Sequence, residues 1–228
     1  ARLLTSDYPD KSNIHFFLGQ LDHEDKKPDS ALEHFRQVTP GPQFIAARSR
    51  AALILTQQGK IDAARELLHS TQSTSPAESI QLTLAESQLL REAGRHNDAY
   101  IVLDSALSTL PDSTELIYEA ALTAERIGKP ELLESHIKHL LALKPDHAHA
   151  LNALGYSLAE RNVRLTEAHD LIAKAQSLAP EDPFIMDSMG WVLYRQGKLP
   201  DALRTLENAY RIKSDPEIAA HLGEVLWT

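Results

Sequence analysis

The sequence of 228 residues has no cysteine, which excludes a disulfide framework, a thiolate metal site and a cysteine nucleophile. A chain of this size buries a core without such staples, so the absence is compatible with the cytosol and with an oxidising compartment. Positive charge is scarce: 23 Lys and Arg face 32 Asp and Glu, for a net charge of −9. That is the wrong sign for a duplex-binding protein, whose affinity comes mainly from neutralising phosphates. The charges are interspersed, with no acidic tail or basic arm. No apolar run approaches the ~18 residues of a membrane span. The start carries no initiator Met, signal peptide or lipidation motif.

Enzyme signatures are missing as well. Walker A, G-x-G-x-x-G, H-E-x-x-H and G-x-S-x-G patterns do not occur. Ser135-His136-Ile137-Lys138 matches S-x-x-K, but this fixes only two residues, its K-T-G companion is absent, and the segment reads as a helix surface. The 11 histidines include two close pairs, His136 with His139 and His147 with His149. The pairs fall on different helices and no third ligand accompanies them, so solvated side chains titrating near ~6.5 are expected. The expectation is a protein that is not an enzyme, with no cofactor and no metal.

What the sequence does have is Leu and Ala in abundance, with 43% hydrophobic residues and only 6% aromatics, which suits an all-helical fold. It also has a period. Gly59, Gly94, Gly128 and Gly197 are spaced by 35, 34 and 69 residues, and Gly19, Gly155, Gly190 and Gly223 by 136, 35 and 33. Both sets fit a 34-residue repeat, the length of the helix–turn–helix tetratricopeptide (TPR) unit, and the chain resembles that family along nearly its whole length.

Full repeats start near Ser12, Ile45, Ile80, Thr114, Ala148 and Pro183, giving six repeats over 12–215. Residues 1–11 read as the end of a preceding repeat and 216–228 as helix A of a truncated seventh. Position 8 of each repeat is small, from Gly19, Ala52 and Ser87 through Ala121 to Gly155, Gly190 and Gly223. Position 20 holds Ala in five repeats and Leu133 in the fourth. Small residues at these places let helix A and helix B of one hairpin pack closely, with larger ones such as Phe35 and Leu206 filling the space beside them. Proline punctuates the pattern: Pro9, Pro76, Pro111, Pro145 and Pro180 read as stops after helix B, and Pro28, Pro130 and Pro200 as openings of helix B. Asn162 replaces the glycine of the A–B turn in the repeat starting at Ala148, where an extra residue near Val163 predicts a distorted turn.

The predicted architecture is an all-α, right-handed TPR superhelical solenoid of antiparallel helix pairs. Fourteen helical segments are predicted, with A helices near 13–25, 45–58, 80–93, 114–127, 148–161, 183–196 and 216–227. Leu222, Val225 and Leu226 would present a bare apolar face at the end, and the chain reads as a piece of a longer array.

In such an array helix A lines the groove. Positions 2, 5, 9 and 12 form the stripe beside the packing stripe. That stripe is polar in the first repeats, mixed in the middle and aromatic at the end. Its candidate protein-binding residues are Tyr118, Tyr156, Phe184, Asp187, Trp191, Tyr194 and Trp227, because aromatics are enriched at interface hot spots. Tyr156, Trp191, Tyr194 and Trp227 are expected to form one patch. Only Arg50 and Arg91 offer positive charge near the groove in the first three repeats, which argues against a clamp for a peptide C-terminal carboxylate.

A more specific resemblance lies in the strings Ala150–Tyr156 (ALNALGY), Asp187–Gly197 (DSMGWVLYRQG) and Asp215–Trp227 (DPEIAAHLGEVLW). These resemble the C-terminal repeats of large TPR lipoproteins of the Gram-negative outer membrane, of the LbcA type. The resemblance covers about 80 residues. It implies an adaptor at the periplasmic face of the outer membrane that binds a carboxyl-terminal processing protease and cell-wall hydrolases. It further implies a membrane link only through an upstream lipid anchor, and it names no catalytic residue. Two alternatives remain open: a pilotin-like assembly factor for a secretion or pilus system, and the TPR arm of a larger enzyme.

Overall fold

The computed structural model describes residues 11–228 and divides the chain into two compact units, Ala1–Leu116 and Ile117–Thr228. The first unit holds α1 (Lys11–Glu24), α2 (Pro28–Arg36), α3 (Phe44–Gln57), α4 (Ile61–His69), α5 (Pro76–Glu92) and α6 (His96–Leu107). The boundary falls within α7 (Thr114–Arg126). The second unit continues with α8 (Pro130–Leu143), α9 (Ala148–Glu160), α10 (Leu165–Leu178), α11 (Pro183–Arg195), α12 (Leu199–Ile212) and α13 (Pro216–Trp227). The described residues thus form 13 helices and no strand. The predicted helix before Pro9 lies outside the described residues.

Local chemistry explains the helix starts. Pro28, Pro76, Pro130, Pro183 and Pro216 each open a helix, where a missing N–H costs nothing and φ is already helical. Asp182 caps α11 by accepting from the N–H groups of Phe184 and Ile185, and Asp215 caps α13 by accepting from Glu217. Pro76 departs from the sequence-based expectation of a stop after helix B, and α5 begins four residues before its predicted start at 80. The reason is Ser75, which is extended and accepts from the Glu78 N–H at 3.3 Å. The Glu78 carboxylate in turn accepts from the backbone and hydroxyl of Thr74, which completes a strong N-terminal cap.

Turns follow the same logic. Gly197 closes α11 at φ 77°, a left-handed conformation that a side chain disfavours, and Gly59, Gly94 and Gly128 stand alike. Asn162 takes φ 56° in their place and Arg164 follows at φ 48°, so the predicted distortion is present. Arg164 is tied down there by Glu167 at 2.6 Å and Glu134 at 2.9 Å.

Within each unit the helices pair as hairpins, α1 with α2, α3 with α4, α5 with α6, α9 with α10 and α11 with α12. Successive A helices also touch, α3 with α5, α9 with α11 and α11 with α13. Close approach depends on position 8. A Cβ added at Gly190 would stand 2.5 Å from Leu206, and one at Gly155 would stand 2.6 Å from Ile172. At Gly223 nothing lies within 4 Å, since among the described residues no helix packs on that side of α13. Val225, expected at the bare face, is buried instead, while Leu226 is 63% exposed.

Candidate functional site

In the second unit the stripe residues of three A helices converge on His221. Its Nδ1 lies 2.8 and 3.0 Å from the two carboxylate oxygens of Asp187. Its ring stacks on Trp191 at 4.2 Å with an interplanar angle of 22°, and Tyr156 lies 6.0 Å away. Trp191 Nε1 donates to Glu160 at 2.8 Å, and the Arg195 guanidinium sits 4.5 Å from the Trp191 ring. The Tyr156 hydroxyl meets Glu217 at 3.4 Å and His221 Nε2 at 3.5 Å, and the Tyr194 hydroxyl meets Thr228 at 3.2 Å. Thus α9 supplies Tyr156 and Glu160, α11 supplies Asp187, Trp191 and Tyr194, and α13 supplies Glu217 and His221.

Burial divides the candidate residues. Trp191 is 2% exposed and Asp187 4%, so both are packed between repeats. Tyr156 and Tyr194 are half-buried, with Tyr194 5.2 Å from Trp191. Trp227, 93% exposed, stands apart from this cluster. Phe184 is exposed with the Lys213 ammonium 4.1 Å from its ring, and Tyr118 pairs instead with His147 at 5.4 Å. The expected single patch is therefore a knot of the buried Trp191 with the half-buried Tyr156 and Tyr194 around a histidine, with Trp227 outside it.

Electrostatics fits a knot rather than a reactive centre. Burial, followed by the charges of Glu217, Glu160 and Asp187, pushes the Tyr156 phenol well above its ordinary range, so it stays protonated and donates. Burial alone would lower the His221 pKa, but the hydrogen bond and charge of Asp187, with Glu217 and Glu160, outweigh it and raise the value above 6.5. Among the described residues no group of three His, Asp or Glu could hold a metal ion. His147, one of the sequence-level candidates, instead caps α9 by accepting from the Ala150 N–H at 3.2 Å.

The first unit uses the same stripe differently. Between α3 and α5 lies a hollow of ≈ 340 Å³ lined by Ala46, Ser49, Arg50, Leu53, Ala85, Gln88 and Leu89. Ala46, Ser49, Leu53 and Gln88 are stripe positions. Four of its lining residues are apolar, and the Arg50 guanidinium, its one cation, rests 5.9 Å from the Phe16 ring. The buried charge of this unit lies elsewhere: Glu86 of α5 accepts from Arg65 at 2.9 Å and His69 at 2.8 Å of α4.

Sequence reasoning missed the hollow and missed His221. The hollow left no signal beyond small residues at Ala46 and Ser49. His221 had one: it follows Asp187 by 34 residues, one repeat length. Complementary charges one period apart are candidates for bonds between successive A helices.

No family model matches the chain. Of the curated proteins it is similar to TPR repeat-containing protein PA4667 of Pseudomonas aeruginosa, at 42% identity over 210 residues, which are 92% of this chain and 36% of that protein. The chain thus spans about a third of that relative's length. Among solved structures it is similar to a tetratricopeptide repeat protein from Parabacteroides merdae, with a TM-score of 0.72 at 15% identity over 95% of this chain and 86% of that one. It is also similar to YrrB, described as a TPR protein with an unusual peptide-binding site, with a TM-score of 0.56 at 17% identity over 78% of this chain and 91% of the other. The all-α fold is that of TPR solenoids, and the likenesses support membership of the TPR repeat family.

Proposed function

We propose that the chain is a non-catalytic scaffold that holds other proteins against its A helices. The observation that carries this reading is the open hollow between α3 and α5, four of whose seven lining residues the repeat register assigns to the groove. Its four apolar lining residues and single cation suit an extended peptide segment with small apolar side chains. In the second unit the partner-facing residues are the accessible ones, Tyr118, Tyr156, Phe184, Tyr194 and Trp227, while Asp187 and Trp191 lie buried against His221. A protein or peptide partner, and no nucleic acid, agrees with the net charge of −9.

The finer setting rests on resemblance. The three strings on α9, α11 and α13 resemble outer-membrane TPR lipoproteins, and the 42% identical relative is a TPR protein of a Gram-negative bacterium. Both support a lipoprotein adaptor at the periplasmic face of the outer membrane. Its partners there are a carboxyl-terminal processing protease and cell-wall hydrolases, with the lipid anchor upstream of these residues. The test is titration of the purified protease against the chain and against Ser49→Tyr, which fills the hollow. Binding by the native chain, weakened tenfold or more in the variant at unchanged melting temperature, supports the reading. Absence of binding contradicts the protease partner. Equal binding by both forms contradicts the hollow.

A further inference from the structure

The knot around His221 carries more than packing. His221 and Asp187 have side chains only 10% and 6% exposed, yet both are ionisable and lie on different repeats. Burying two charged groups is costly unless they pair, and here the pair is two-pronged, with Nδ1 reaching both oxygens of Asp187. The groups facing the imidazole from each packed helix are known. From α9 come Tyr156 and Glu160, from α11 Asp187 and, across the Trp191 ring, Arg195, and from α13 itself Glu217. Helix α12 meets α13 through Ala209 and Ile218, an apolar contact. The charges near its end are engaged elsewhere, Arg211 with Asn208 and Lys213 with Asp215. Carboxylates outnumber cations around the ring three to one, so the site favours imidazolium.

We propose that His221 is a pH-controlled latch holding α13 on α9 and α11, closed while the imidazole is protonated and loosened when it loses its proton. The docked helix binds the charged form more tightly than the undocked helix does. The latch is therefore whole below the undocked pKa near ~6.5. It weakens as pH rises through the raised value of the docked state. Ile218 and Val225 are buried in the docked state, so a loosened α13 opens against their apolar burial as well. The glutamates of α13 that flank the Tyr156 and Tyr194 hydroxyls, Glu217 and Glu224, move with it. The latch is a property of the chain without any partner, so it stands or falls separately from the scaffold function.

The test is hydrogen exchange of the whole chain at pH 6 and pH 8.5, corrected for intrinsic rates, with α11 as the internal reference. Opening of α13 relative to α11 should rise severalfold at the higher pH, and His221→Gln should abolish that dependence. A second readout needs no exchange data. In Trp227→Phe the stacked Trp191 is the only tryptophan left, and its emission should rise with pH as the quenching imidazolium disappears. Asp187→Asn should move the midpoint of that transition downward. Equal α13 opening at both pH values, an emission without a transition, or a midpoint indifferent to Asp187→Asn would each overturn the latch.

Discussion

Register position 9 holds Gln88 in the third repeat, within the first unit, and Trp191 in the sixth, within the second, and the two residues have opposite fates. Gln88 lines an open hollow, while Trp191 is buried under a histidine, a glutamate and an arginine. The backbone grammar is shared: Gly19 seats Phe35 in one unit as Gly190 seats Leu206 in the other. What differs is the size of the stripe side chains. Small ones leave space between neighbouring A helices, and large amphipathic ones consume it by bonding to the next repeat. A groove-facing position is therefore not in itself an open position, and the unit whose stripe is poorer in aromatics is the one with an open hollow between two A helices.

The sharpest way to break this contrast is to truncate both residues. Trp191→Ala should cost ~3–5 kcal/mol of stability through lost burial and cavity formation. Gln88→Ala should stay within ~0.5 kcal/mol, as surface changes do. Denaturant melts of the two variants check this, and similar losses would dissolve the distinction. Next in size is Tyr194, half-buried at the rim of the knot. Tyr194→Ala should weaken partner binding by about 2 kcal/mol or more with the fold intact, if the rim is a hot spot. A lowered melting temperature with unchanged affinity would assign Tyr194 to packing alone.

Glycines sharpen the comparison further. Gly190→Ala drives a methyl into Leu206 and should destabilise by ~1–3 kcal/mol. Gly223→Ala meets nothing within 4 Å and replaces a poor helix former, so thermal unfolding should show a gain of ~0.5–1 kcal/mol. A loss at Gly223 would mean that its open side is occupied in solution.

The fold was legible because each repeat restates it. Small residues at position 8, glycine at the A–B turn and proline at helix openings are backbone requirements, and backbone requirements recur every 34 residues. The start of α5 was misplaced because Pro76 fits two readings, a stop after helix B or the first residue of the next helix. Only the Ser75 cap and the Glu78–Thr74 bonds decide between them. The candidate site was less legible. The repeat register puts Tyr156, Asp187, Trp191 and Tyr194 on one stripe, but their exposure depends on what the neighbouring repeat puts against them, and His221 lies one position off that stripe. A pattern read along one helix does not reveal a partner 34 residues away unless that partner is sought at the repeat spacing.

The proposed scaffold holds its partners on the A helices, in the hollow of α3 and α5 and on the accessible rim of α11 and α13. The most direct measurement is the hydrogen-exchange footprint of the purified processing protease on the whole chain. Slowed exchange is expected in 46–53 and 85–89, with further protection around Tyr194 and Trp227. Protection confined to the B helices α4, α6, α10 and α12, with 46–53 and 85–89 unchanged, would contradict it.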